Sequence, residues 1–153
     1  MIKIKIVCVG SVKEKYFIDA IEEYKKRLGR FCTLSVVEVE EESRQQNIQK
    51  KIDKESEKLL SASTGSFVLL DRVGKMVSSE DLADILKQSQ IGGVSEITFI
   101  IGGSNGVNEN LKNACNKVIS FGKITFPHQL FRVVLAEQIY RAFTINAGMP
   151  YHK

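Results

Sequence analysis

The chain has 153 residues, 43% of them hydrophobic and 26% charged, the balance of an ordinary soluble globular protein built as one domain, 1–153. No stretch approaches the ~20 consecutive apolar residues of a membrane span, and the opening Met-Ile-Lys-Ile-Lys-Ile lacks a signal-peptide layout, so a cytoplasmic protein is expected. The net charge of +4 permits a nucleic-acid partner without demanding one. Cys8, Cys32 and Cys115 are odd in number and widely spaced, so they imply no disulfide framework, and with two histidines no metal site is expected.

Ile2–Val9 alternates Ile/Val with Lys/Cys and ends at Gly10, which predicts a strand. Phe17, Ala20, Ile21, Tyr24 and Leu28 recur at helical spacing, and Gly29 stands where a C-cap glycine belongs. Thr33–Val39 predicts a second strand. Ser43 is placed to cap a long charged helix with Ile48, Ile52, Leu59 and Leu60 on one face. Its lysines, Lys50, Lys51, Lys54 and Lys58, are interspersed with acids and read as a solvated face rather than an RNA-binding one.

Ser66–Asp71 is a short apolar run of the kind buried in a parallel sheet, and Arg72–Met76 predicts a turn around Gly74. Ser78 or Ser79 caps the next helix, with Glu80 and Asp81 in its first turn as the helix dipole favours. After Gly92-Gly93 comes the buried strand Glu96–Ile101, the loop Gly102-Gly-Ser-Asn-Gly106, a helix from about Asn108 to Asn116, and a brief strand at Val118–Phe121. Strands alternating with helices predict an α/β fold with a mostly parallel sheet flanked by helices.

The last helix, Gln129–Ile145, follows Pro127 and is apolar on nearly every face, with only Arg132, Glu137, Gln138 and Arg141 polar enough to interrupt it. Such a helix is either central to the core or shared with a second subunit. Glu137 and Arg141 stand at i,i+4 in the favourable order.

Ligands of open α/β sheets bind beyond the carboxyl ends of the strands. Three such ends stand out: Leu70-Asp71, Ile101-Gly102-Gly103 and Val118–Phe126. The Gly102–Gly106 loop lets backbone approach a ligand, and it also suits a tight turn on Asn105-Gly106. It spells neither a Walker motif nor Gly-x-Gly-x-x-Gly, and no acid follows about 20 residues on, where a dinucleotide's ribose would need one. NAD is therefore not expected, and a nucleoside-type ligand held by backbone groups is.

Val9-Gly10, Glu23-Tyr-x-Lys-Arg-Leu28, Gly74-Lys75, Ile101-Gly-Gly-Ser-Asn-Gly106, Thr125-Phe-Pro-His128, Arg132-Val-Val-Leu, Glu137-Gln-x-Tyr-Arg-Ala142 and Tyr151-His-Lys153 together carry a likeness along the whole chain. On these residues the sequence resembles the SPOUT-class ribosomal RNA large-subunit methyltransferase H family, which methylates N3 of a pseudouridine in 23S rRNA. The resemblance implies a homodimer with a C-terminal trefoil knot and S-adenosyl-L-methionine folded within it. The knot is not a feature that spacing could reveal. The cofactor-binding positions it implies are Leu70, Gly102, Phe121, Gly122, Lys123, Ile124, Thr125 and Phe126, which fall on the same three strand ends. Gly122 stands where relatives commonly have serine.

The resemblance also places the tail Tyr151-His152-Lys153 beside the target base, close to the partner subunit's cofactor. His152 is then the acid/base candidate, Tyr151 stacks or hydrogen-bonds, and Lys153 holds phosphate or stabilises the imide anion. Arg132 and Arg141 are candidates for gripping RNA phosphates, Arg141 being equally suited to pairing with Glu137. His128, after Pro127, reads as a structural helix-start residue. Methyl transfer needs the imide proton removed and the nitrogen aligned with an already activated sulfonium, so no metal is called for. Two rival readings are a ribosome-binding or assembly factor that keeps the fold without catalysis and a small nucleotide-binding protein acting on metabolites.

Overall fold

A computed structural model describes all residues, Met1–Lys153. Ten elements alternate: β1 (Ile2–Val9), α1 (Lys15–Leu28), β2 (Cys32–Val39), α2 (Ile48–Ala62), β3 (Ser66–Met76), α3 (Ser79–Ile91), β4 (Glu96–Ile101), α4 (Glu109–Ala114), β5 (Lys117–Ser120) and α5 (His128–Asn146). The five strands form one sheet in the order β2-β1-β4-β3-β5, and every pairing is parallel. The predicted α/β class with a parallel sheet is the observed one.

The period of two along β1 sorts its side chains. Ile2, Ile4, Ile6 and Cys8 enter one apolar cluster, and Val7 and Val9 enter another on the opposite face. The first cluster takes Leu28 from α1, Leu82 and Leu86 from α3 and Leu135, Ile139 and Phe143 from α5. The second takes Leu59 from α2 and Leu111 from α4. Connections stepping one way along the sheet share one face and those stepping back share the other, as uniformly handed crossovers require. Neighbouring β3 and β4 therefore send their chains to opposite faces, which parts the loops at their carboxyl ends and opens a crevice there.

The unusual composition of α5 has a direct cause. It lies on the sheet between α1 and α3, so three of its sides are covered within one chain. Leu135, Ala136, Ile139 and Ala142 are fully buried there, and Phe143 stacks on Phe31 with ring centroids 5.5 Å apart. Leu130, Val133 and Val134 remain half-buried on the outward side.

Two local expectations change, at the cap of α2 and at Arg72–Met76. Helix α2 is capped by Asn47, whose side chain accepts from the Lys50 amide at 3.0 Å, and Ser43 lies in the preceding turn. Asparagine immediately before the first apolar residue, Ile48, is the stronger cap. Gly29 is the C-cap of α1 as expected, in a right-handed conformation, φ −57°, with its amide donating to the Lys26 carbonyl at 3.1 Å. The turn at Arg72–Met76 exists only as an arch within β3: Leu70 and Lys75 both align with Ile119 of β5, and the residues between bulge outward. Gly74 lets the arch close, because a Cβ there would sit 2.9 Å from the backbone of Ile119. Elsewhere Ser78 does cap α3, in a reciprocal box with Asp81 (3.0 and 2.9 Å). No helix is long and apolar enough to cross a membrane.

Candidate functional site

At the carboxyl ends of β3, β4 and β5 lies a cavity of about 340 Å³, within the size range of small-molecule sites. Leu70, Ile101 and Phe121 bring the three strand ends to it, and Gly102–Val107 and Gly122–Phe126 wrap its sides. Sequence reasoning found these ends separately, and the sheet order puts them together.

The loop after β4 serves two purposes. Asn105-Gly106 makes a tight turn, with the Gly106 amide donating to the Gly103 carbonyl at 3.0 Å and φ of +85° at Gly106. The same loop lines the cavity, and Gly102 and Gly103 sit where a side chain would be crowded. A Cβ on Gly102 would lie 2.7 Å from Val107 Cγ1, and one on Gly103 would lie 2.6 Å from Glu55 Oε1. Glu55 is fully buried behind the loop, with Oε2 accepting from the Glu42 amide at 3.0 Å and Oε1 without a partner.

On the opposite wall, Ser120 shapes the segment after β5. Its hydroxyl oxygen accepts from the Gly122 amide at 3.0 Å and lies 3.1 Å from the Arg72 carbonyl oxygen. Gly122 adopts φ +115°, and a Cβ there would meet nothing within 4 Å, so the backbone conformation rather than crowding favours glycine. The amides of Lys123, Ile124, Thr125 and Phe126 donate to nothing in the chain, which leaves a row of backbone donors beside the cavity. Phe131 of α5 packs against Phe121 and Phe126, each with centroids 5.6 Å away, as an apolar floor. Arg72 reaches across the mouth and donates to Thr125 Oγ1 at 2.7 Å.

Of the eight expected cofactor positions, seven line this cavity: Leu70, Gly102, Phe121, Gly122, Ile124, Thr125 and Phe126. Lys123 does not. Its side chain is exposed, and it sits between the lining residues Gly122 and Ile124. Asp71, Arg72 and His128 also line the cavity and were not in that set. Asp71 and Arg72 directly follow Leu70, so the signal for them was the strand end itself. Asp71 pairs with Lys112 at 3.5 Å. His128 is the first residue of α5, directly after Pro127 at the cap position, as its helix-start reading expected, and it lines the cavity as well.

Arg132 is corrected as well. It is 2% exposed, out of reach of a phosphate on a nucleic acid. Its guanidinium donates to Glu38 Oε2 at 2.8 Å and to the carbonyls of Val9 and Gly10 at 2.7 and 3.0 Å. Together with Gln129, whose Oε1 accepts from the Lys13 and Glu14 amides at 3.0 and 3.4 Å, it clamps the loop after β1 to the start of α5.

The tail lies away from the cavity of its own chain, pinned against α5 and α3. Tyr151 donates its hydroxyl to Glu137 Oε2 at 2.7 Å, and its ring meets Tyr140 edge-on at 4.8 Å. Burial and then that carboxylate push the Tyr151 phenol well above its usual range, so it stays a neutral donor. Arg141 spends Nε and Nη2 on Glu137 (3.2 and 2.8 Å) and Nη1 on His152 Nδ1 (3.1 Å), so its fork orders the tail instead of facing phosphate. A guanidinium only donates. His152 Nδ1 is therefore the acceptor, and Nε2 carries the hydrogen donated to Glu80 Oε1 at 2.7 Å. That bond is also the first cause holding the Glu80 carboxyl below its usual range. Lys153 is exposed.

Comparison with known proteins fits this architecture. The family described as "Predicted SPOUT methyltransferase" matches residues 2–152. The chain is 47% identical to "Ribosomal RNA large subunit methyltransferase H" of Caldicellulosiruptor saccharolyticus over 154 residues, covering 98% of this chain and 99% of that one. It is 49% identical to the protein of the same name from Lactobacillus helveticus over 157 residues, again covering 98% and 99%. Among solved structures, a "probable methylase family protein" from Haemophilus influenzae superposes with a TM-score of 0.55 at 11% identity, covering 100% of this chain and 72% of the other, a likeness of fold. With a family match along almost its whole length and near-half identity to these relatives end to end, the chain belongs to the SPOUT methyltransferases, in the ribosomal RNA large subunit methyltransferase H family.

Proposed function

We propose that this protein transfers the methyl group of S-adenosyl-L-methionine to N3 of a pseudouridine in 23S rRNA, acting as a homodimer on the large ribosomal subunit in the cytoplasm. The observation that carries the reading is the cavity at three strand ends, with the free amides of Lys123–Phe126 beside one wall and the crowded Gly102 on the other. These features fit an adenosine-containing ligand: an apolar aromatic floor at Phe121, Phe126 and Phe131, and backbone donors for its heteroatoms. Leu70, Gly102, Phe121, Gly122, Ile124, Thr125 and Phe126 would hold it with both side chains and backbone, and Lys123 with backbone alone. When bound, it supplies a sulfonium-activated methyl. Folding residues 121–126 and α5 through a trefoil knot would bring the C-terminal segment against the cofactor loops.

The tail of one subunit would then act at the partner's cavity, which explains why it lies away from its own. Tyr151 and His152 meet the target base, and Lys153 binds neighbouring phosphate. Arg141, Glu137 and Glu80 hold those two side chains in fixed orientations, which is what alignment of a nucleophile demands. Half-buried Leu130, Val133 and Val134 supply an outward apolar strip on α5 for the partner subunit to cover.

The test is transfer of radiolabelled methyl to ribosomes and to naked rRNA, with the modified nucleoside identified. Transfer yielding N3-methylpseudouridine is expected, and no transfer with no cofactor binding would instead support a non-catalytic ribosome-binding factor. Deleting Tyr151–Lys153 should abolish transfer while cofactor affinity and the dimer persist, since the tail lines no part of its own chain's cavity. A truncated enzyme working within a few-fold of the intact rate would refute the tail's role.

A further inference from the structure

The chain has two histidines, and the structure treats them oppositely. His152 has both ring nitrogens engaged, Nδ1 accepting from Arg141 at 3.1 Å and Nε2 donating to Glu80 at 2.7 Å. A ring held in that tautomer has no lone pair free for an incoming proton. To accept one at Nδ1 it would have to surrender the Arg141 bond and face the guanidinium as a second cation. His128 is the reverse case. It opens α5 directly after Pro127, its ring hydrogen-bonds to nothing in the chain, and it stands on the rim of the cavity beside Thr125, Phe126 and Phe131.

We propose that His128, on the subunit whose cavity binds the methyl donor, removes the proton from the target nitrogen, and that His152 of the partner's tail serves to position the base. This rests on the methyltransferase reading above. An imidazole nitrogen of His128 takes the N3 proton. The electron pair freed on N3 forms the new bond to the methyl carbon as the carbon–sulfur bond breaks, and that bond's pair stays on sulfur, which leaves as a neutral thioether. The imidazolium of His128 then returns its proton to water. The charged groups facing this ring are few: Asp71, already paired with Lys112, and Arg72, already bonded to Thr125, share the cavity. The loop after β1 carries Lys13 and Glu14, whose amides bind Gln129, the residue that follows His128. Asp71 is thus committed to another cation, and His128 is the remaining uncommitted base in the cavity.

The experiment compares His128→Ala and His152→Ala with the intact dimer in three measurements. These are single-turnover methyl transfer to ribosomes at saturating cofactor, calorimetric affinity for S-adenosyl-L-methionine, and transfer in added imidazole. His128→Ala should bind cofactor within about twofold of the intact protein and lose about 100- to 10,000-fold in rate, the range for removal of a general base. Imidazole should restore part of that rate in His128→Ala and none in His152→Ala. In the intact protein the His128 ring carbon resonance should move when S-adenosylhomocysteine is titrated in, because the ring borders the cavity. A His128→Ala enzyme within a few-fold of the normal rate, a cofactor affinity falling in parallel with the rate, or an unmoved ring resonance would each overturn the proposal. If the intact protein neither binds cofactor nor transfers methyl, the functional reading fails and this assignment falls with it.

Discussion

Replacing Arg132 with methionine separates a buried clamp from an RNA contact. The native guanidinium makes three charge-assisted hydrogen bonds, to Glu38 and to the carbonyls of Val9 and Gly10. Each such bond contributes roughly 1.5–3 kcal/mol net when buried. The Glu38 share must be discounted, because that carboxylate is 38% exposed, can rehydrate, and keeps the Val12 amide at 2.7 Å. Methionine fills much of the stem's volume and removes an Nε that has no partner now, which recovers part of the loss. The remainder is the two carbonyls, and a destabilisation of about 3 kcal/mol is expected. For a chain of this size each kcal/mol lowers Tm by about 2–4 °C, so a fall of roughly 6–12 °C should be seen by circular dichroism. Arg132→Lys should fall between, since an ammonium cannot reproduce the planar fork. At a temperature where the variant is folded, the salt dependence of ribosome binding should match that of the intact protein. Unchanged stability together with a salt slope reduced by about one would refute the clamp and restore Arg132 as a phosphate contact.

Gly102→Val should weaken S-adenosyl-L-methionine binding by more than tenfold in calorimetry, since even its Cβ would press on Val107 at 2.7 Å and shift the loop; unaltered affinity in a folded variant would remove the cofactor from this wall. Val134→Glu should convert the dimer to a soluble monomer in light scattering, whereas Phe143→Glu should unfold the chain because Phe143 is 4% exposed in the core; a Val134→Glu dimer would move the interface elsewhere. Stability should also decline in alkali. Burial pushes the Cys8 thiol up to about 11 and the Cys32 thiol up to about 12, so below the ordinary value near 9 both chain states keep the proton. As pH rises past 9 the unfolded chain ionises first and the folded state loses its advantage. Urea midpoints measured from pH 8 to 10.5 should drop, and less steeply in a Cys8→Ala, Cys32→Ala variant; parallel slopes would refute this source.

The amino-acid sequence by itself determined the alternation of strands and helices, because that rests on local periodicity and capping. The two-residue period of β1 and the Ser78 box are legible without any knowledge of the fold. It also marked three strand ends as candidate ligand sites, at Leu70-Asp71, Ile101–Gly103 and Val118–Phe126. What it could not decide is where long-range partners lie. The arch in β3 depends on Ile119 lying against Gly74, 45 residues along the chain by number. Arg132 and Arg141 look alike in sequence, as single cations in an apolar helix, yet Arg132 is buried and Arg141 is a quarter exposed. Only the packing of α5 shows that the β1 loop consumes one and the tail the other. His128 and His152 divide for the same reason: a ring's freedom to accept a proton is set by its neighbours in space, and those are chosen by the tertiary fold.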